Sequence, residues 1–177
     1  KEPMKLAAHK TFKDYNIKIA SGTTGFEAQK IKTIVSNEKN ENSIPFTVSG
    51  GVDRYTYTNE NIRYMRLKLD TAYVEKSDIV ADSKWNFWKE RKIVIAGMTK
   101  ELEAVYVKES LGLGVGIYAI YDFGTFDPLF LTGILNSKYL SFYFINKFKD
   151  KHLAGGYLAI NKSTIEKLPL EYTDNQL

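Results

Sequence analysis

The stretch from Lys92 to Tyr121, KIVIAGMTKELEAVYVKESLGLGVGIYAIY, constrains this chain more than any other. Three runs rich in Val, Ile, Leu and Tyr (KIVIAG, LEAVYVKE and GVGIYAIY) are separated by turn-prone Gly, Thr, Lys and Ser, and each reads as a strand. In the first, Ile93 and Ile95 alternate with Val94 and Ala96, so both faces are apolar and the strand belongs inside a sheet. The other elements must pack around it.

A chain of 177 residues that is 44% hydrophobic can bury one core and is short for two, so a single domain over residues 1–177 is expected. Its 12 Tyr and 10 Phe are more aromatic residue than disordered sequence carries. The absence of Cys excludes a disulfide framework, a thiolate zinc site and a cysteine nucleophile together, and His9 and His152 are too few for a His-rich metal site. No run of about 18 apolar residues is present to span a bilayer, and KEPMKLAAHK lacks the apolar core of a secretory signal. A cytoplasmic protein without a membrane partner is the expectation. The net charge of +4 and pI near 9.0 permit a polyanionic partner.

Along the chain, YNIKIA reads as a short strand turned by SGTTG, and Phe26 to Val35 fits either a short helix or a strand. SNEKNENS is a solvated loop. IPFTVS and RYTYT flank GGVD, a hairpin or bulged-turn signal that places Arg54 and Tyr55 at the start of the emerging strand. IRYMRLKLD alternates in part and carries three basic residues, and another short strand is expected at Ile79 to Ala81. In DSKWNFWKERK, Trp85 and Trp88 share a helical face and are expected in the core, with the Lys and Arg among them pointing outward. Asp127 and Pro128 open a helix running to Phe148, broken near Gly133 and Asn136-Ser137, with Asn136 available to cap its second piece. Its buried residues should include Ile134, Leu135 and Phe142. YLAIN is a last strand, and Ser163 with Glu166 has capping-box spacing before a single turn stopped by Pro169. The resulting fold class is α+β, mainly β: a twisted, largely antiparallel sheet with a broken helix packed on it.

Catalytic signatures are missing. Gly112, Gly114 and Gly116 do not match G-x-G-x-x-G, since Ile117 occupies the third glycine's place, and their spacing favours close packing on one strand face. Glu101, Glu103 and Glu109 have no His in their sequence neighbourhood and read as a solvated strand face. Neither a P-loop nor a G-x-S-x-G motif is present. Basic residues instead concentrate in turns: Arg54 after GGVD, Lys100 after GMT, and Lys147, Lys149, Lys151 and His152 before GGY. Such a distribution suits phosphate contacts that position a duplex while loop side chains read base edges.

The order AGMTKELEAVYVKESLGLGVGIYAIY, LTGILNSKYLSFYF and KHLAGGYLAINKSTIEKLPL closely resembles the target-recognition domain of restriction-modification proteins. The nearest group is the TaqI-like C-terminal specificity domain, found attached to N6-adenine DNA methyltransferases and fused restriction-methylation enzymes. The type I specificity subunits are more distantly similar. Upstream, IASGTTGFEAQKIK and VSGGVDRYTY resemble the first half of the same domain. In that family the recognition domain reads double-stranded DNA, while a separate domain binds S-adenosylmethionine and transfers the methyl group. Because the methyltransferase [DNS]-P-P-[YFW] motif is absent here, the resemblance implies the specificity portion of a larger protein, non-enzymatic and without a cofactor or metal of its own.

On this reading the residues expected to face DNA are Arg54, Lys84, Lys100, Lys151, His152 and Tyr157, with Lys84 and Lys151 on phosphates and Arg54 or Lys100 on base edges. The alternative is a protein-interaction or assembly module that docks the methyltransferase or nuclease and touches DNA little.

Overall fold

A computed structural model describes residues 10–170. The first half of the chain forms β1 (Lys18–Ser21), α1 (Gly25–Lys32), β2 (Val35–Ser36), β3 (Ser43–Thr47), β4 (Val52–Asp53), β5 (Thr56–Tyr57), β6 (Glu60–Tyr64), β7 (Leu67–Thr71), β8 (Tyr73–Glu75) and α2 (Asp82–Lys89). The second half forms β9 (Lys92–Ala96), β10 (Met98–Thr99), β11 (Ala104–Val107), β12 (Gly112–Leu113), β13 (Ile117–Asp122), α3 (Pro128–Leu135), α4 (Lys138–Lys147), β14 (Leu158–Ala159) and α5 (Lys162–Glu166). The fold is α+β, with its strands in mostly antiparallel sheets.

The central sheet has the order β1-β13-β9-β11 and is antiparallel throughout. Strand β9 lies inside it with every residue buried, as its two apolar faces require. The alternation divides the interior in two. Ile93 and Ile95 join Ile19, Ile120 and the apolar residues of α3, α4 and α5 on one side. Val94 and Ala96 join Ala119, Val105, Phe46, Val74, Trp85 and Trp88 on the other. A second sheet, β12-β3-β8-β2, covers that other side together with α1 and α2, and β12 pairs with β3 in parallel.

The third predicted strand is therefore split. Gly112 and Leu113 leave for the second sheet, and Gly116 turns the chain at φ 78 before β13 returns to the first. A Cβ on Gly112 would fall 2.5 Å from Val74 Cγ1, and one on Gly114 would fall 3.0 Å from Val48 Cγ1. Close approach thus explains two of the three glycines, and backbone conformation the third.

Several local expectations shift. Phe26 to Val35 resolves into helix α1, capped by Thr24 and Glu27, followed by β2. The hairpin near GGVD turns at Arg54-Tyr55, because Ser49–Gly51 coil into a 3-10 turn and β4 pairs with β5 immediately beyond it. No strand forms at 79–81; Val80 is buried in a turn ahead of α2. Asp127 caps α3 as its sequence predicts, accepting from the Leu129 and Phe130 amides. Helix α4 is capped by Ser137 and not by Asn136, whose amide is engaged elsewhere. Restarting the helix at Lys138 changes its phase, so Leu140, Tyr143 and Phe144 face the core and Phe142 is exposed. Leu135 is buried and Ile134 half-buried. The last helix is capped two residues earlier than Ser163, by Asn161 and Thr164.

Candidate nucleic-acid interface

Strand β11 is an edge of the central sheet, and unpaired edge groups need partners. Ala104 finds them in two different elements. Its N–H donates to Asn136 Oδ1 (2.8 Å) at the joint between α3 and α4, and its carbonyl accepts from Asn136 Nδ2 (2.9 Å). The same carbonyl accepts from the Tyr55 amide (2.9 Å) at the tip of the β4–β5 hairpin. One buried residue therefore holds the hairpin tip and the helix joint together. Ser141 of α4 adds a second clamp, its Oγ accepting from the Leu102 amide at 2.9 Å.

These bonds bring two cations to one carboxylate. The Arg54 guanidinium, in the hairpin turn, and the Lys138 ammonium (3.0 Å), at the start of α4, both pair with Glu101. The Lys138 hydrogen bond, and then the Arg54 charge, hold the Glu101 carboxyl below the usual carboxylate range. Lys138 carries no turn signal in the sequence; its closeness to the Asn136-Ser137 joint is the only hint of its placement.

Next to Glu101, Lys100 is exposed with its ammonium 5.5 Å from the centre of the Tyr157 ring. The two meet because β10 pairs with β14, placing Thr99 opposite Leu158. The loop before β14 turns through Gly155 and Gly156, both at positive φ, and closes with the Leu153 amide donating to the Tyr157 carbonyl at 2.7 Å. His152 is exposed and bridges to Leu158, its Nε2–H donating to the Ile145 carbonyl (2.8 Å). Lys151 pairs with its neighbour Asp150 at 3.3 Å. Arg54, Lys100 and Tyr157 thus gather around Glu101 and the β10–β14 ribbon, with Lys151 and His152 on the loop leading into it.

Lys84 belongs to a different part of the molecule. It is largely covered, donating to the Gly22 carbonyl (3.1 Å) and pairing with Glu27 (3.3 Å), so the outward orientation expected of it is not found. Lys92 departs further. It is fully buried as the first residue of β9, and its Nζ donates to the Trp88 (2.6 Å) and Glu90 (2.9 Å) carbonyls at the end of α2. Burial lowers its pKa to about 8. Trp85 and Trp88 are in the core as expected, and Trp88 Nε1 donates to the same Gly22 carbonyl as Lys84.

The three acids near the central strands do not form a common solvated face. Glu109 accepts from Tyr57 Oη (2.6 Å), which pulls its pKa down. Glu103 is half-buried beside Asp53, and burial followed by that negative charge pushes its carboxyl up. Among the described residues no group of three or more His, Asp or Glu is placed to hold a metal ion. No described helix is long and apolar enough to cross a membrane.

The central sheet is buried on both faces and displays cations and an aromatic ring on turns at its edge. The family model of the TaqI-like C-terminal specificity domain matches residues 54–170, and the chain belongs to that family. The match includes every cation and ring of the Glu101 cluster, and it supports a target-recognition role in restriction-modification systems. No curated protein matches the chain.

Proposed function

We propose that this domain reads a specific site on double-stranded DNA and directs an attached N6-adenine methyltransferase, restriction nuclease or both to it. The observation that carries this reading is the assembly of cations and a ring at one edge of the central sheet: Arg54 and Lys138 through the shared partner Ala104, and Lys100 and Tyr157 through the pairing of β10 with β14. Arg54 is the base-reading candidate, since a guanidinium can pair bidentately with a guanine edge, and its pairing with Glu101 limits its rotamers before DNA arrives. Lys100, Lys138 and Lys151 suit phosphates. The methyl donor, S-adenosylmethionine, belongs in this reading to the parent's methyltransferase domain.

Replacing Arg54, Lys100 and Lys151 together by alanine tests it. Affinity for the selected duplex should fall, and the dependence of log K on log salt should flatten by roughly 1 for each phosphate the variant no longer neutralises. Unchanged affinity and slope would place DNA on another face. A second reading, docking of a protein partner, draws on the exposed Tyr139 and Phe142 of α4. It predicts binding to the catalytic domain with little salt dependence.

A further inference from the structure

The β6–β7 ribbon is built in a way that stability alone does not favour. It turns through two residues, Met65 and Arg66, between the paired Tyr64 and Leu67. Both turn residues have positive φ, 47 and 72. Two-residue hairpins of this hand ordinarily place Gly, Asn or Asp there, because a side chain in the left-handed region costs about 1 kcal/mol or more. One step back, exposed Arg63 stands directly opposite exposed Lys68. Like charges facing across an antiparallel pair are destabilising. The ribbon's acids, Glu60 and Asp70, lie toward its open end, away from the turn.

The turn also faces a cation, Lys32, on a neighbouring element. Tyr64 Oη donates to the Ala28 carbonyl at 3.0 Å and fixes the ribbon against α1. Between them lies a groove of about 570 Å³ lined by Gln29, Lys32, Met65 and Arg66, with no acid in its wall. The one acid of α1, Glu27, is engaged by Thr24 (2.9 Å to the amide) and Lys84 (3.3 Å). Among the described residues, Lys30, Lys32, Arg63, Arg66 and Lys68 form no ion pair. Phe26, on the helical face it shares with Gln29 and Lys30, is 98% exposed.

We infer that the β6–β7 ribbon and the exposed face of α1 form a second DNA-contacting surface, separate from the Glu101 cluster. The ribbon tip enters a groove, and Arg63, Lys68 and Lys32 take phosphates on its flanks. A two-stranded ribbon fits the major groove, and a polyanion supplies the countercharge that the like-charged pair and the acid-free groove lack. Arg66, at the tip, is the member placed to reach base edges. The inference rests on the reading of the domain as a DNA-recognition module and adds to it where the duplex must pass.

The experiment uses the whole chain and a fluorescently labelled mixed-sequence duplex, titrated over a range of salt concentrations, with thermal unfolding of each variant. Arg66→Gly separates binding from structure. Glycine suits the positive φ, so the unfolding midpoint should hold or rise while affinity falls at least about fivefold. Arg63→Gln with Lys68→Gln should flatten the salt slope by roughly 2. Phe26→Ala should weaken binding at every salt concentration and leave the slope alone, because an apolar contact releases no counterion. If the wild type binds with a steep slope that the Arg54, Lys100 and Lys151 variant flattens, while the ribbon variants bind like wild type, the inference is overturned and the DNA reading stands. A wild type without salt-dependent binding overturns both. A lowered midpoint in Arg66→Gly would make Arg66 a structural residue and also overturn the assignment.

Discussion

The Glu101 cluster and the β6–β7 ribbon both gather cations at a turn, yet they treat the charge in opposite ways. In the cluster, Arg54 and Lys138 share the Glu101 carboxylate, and the hairpin and helix that carry them are bonded to one buried residue. The cations are partly compensated and oriented in advance. On the ribbon, Arg63 faces Lys68, Arg66 faces Lys32 across an acid-free groove, and the turn itself sits at positive φ. There the charge is uncompensated. The difference teaches that a partly compensated cluster can be selective, since a ligand must offer more than Glu101 already does, whereas an uncompensated one attracts any polyanion.

Lys92 extends this contrast to its limit, because its charge is buried outright, and it carries the largest expected effect. Its folded pKa of about 8 lies below its ordinary value of 10.5, so with rising pH the folded state releases the proton first. The unfolded state then binds more protons between those values, and stability should rise across that window, by about 3 kcal/mol in the limit. Tyr57, Tyr64 and Tyr118, all with raised pKa, act in the opposite sense from about pH 10, where unfolded tyrosines ionise first. Urea unfolding from neutral pH upward should therefore show a gain that Lys92→Met abolishes. A wild type with flat stability over that range would contradict the assignment.

Asn136 is where the cluster can be broken mechanically. Asn136→Ala strips the Ala104 N–H of its partner and leaves the carbonyl only Tyr55, at a cost of roughly 2 kcal/mol. If the clamp is what aligns Arg54 with Lys138, selective DNA binding should fall more than non-selective binding. A variant with unchanged melting temperature would show that the edge is held by other bonds.

Exchanging the two charge patterns gives smaller effects. Glu101→Gln makes the cluster resemble the ribbon. Arg54 and Lys138 become available to phosphates, so affinity for mixed-sequence DNA should increase, the salt slope should steepen by roughly 1 to 2, and discrimination should narrow. Lys68→Glu makes the ribbon resemble the cluster, since Arg63 then faces a carboxylate. Stability should increase by about 0.2–1 kcal/mol, with weaker DNA binding. Failure of both swaps to move the salt slope would mean that neither region meets the duplex.

Alternation and capping were legible in the sequence because they depend on near neighbours. Ile93 to Ala96 declared a strand buried on both faces, Asp127-Pro128 declared a helix start, and the Trp85–Trp88 spacing declared an inward face. Arg54, Lys100 and Tyr157 were legible as turn residues. Their meeting was not, because it depends on the non-local pairing of β10 with β14 and on the two bonds that the Ala104 carbonyl receives from Tyr55 and Asn136, both distant from it in sequence. The phase of α4 is not legible in the sequence for a related reason. Asn136 and Ser137 are both competent caps, and only contact with the edge strand assigns Asn136 to the sheet and leaves Ser137 to the helix. Cation placement shows the division most sharply. Lys84, Lys92 and Lys100 are equivalent as letters, yet one is paired with Glu27 of a second helix, one is buried and one is exposed over a ring. A lysine's local sequence sets its charge and reach, and the surface that folding packs against it sets whether that charge meets solvent, a carbonyl or a ligand.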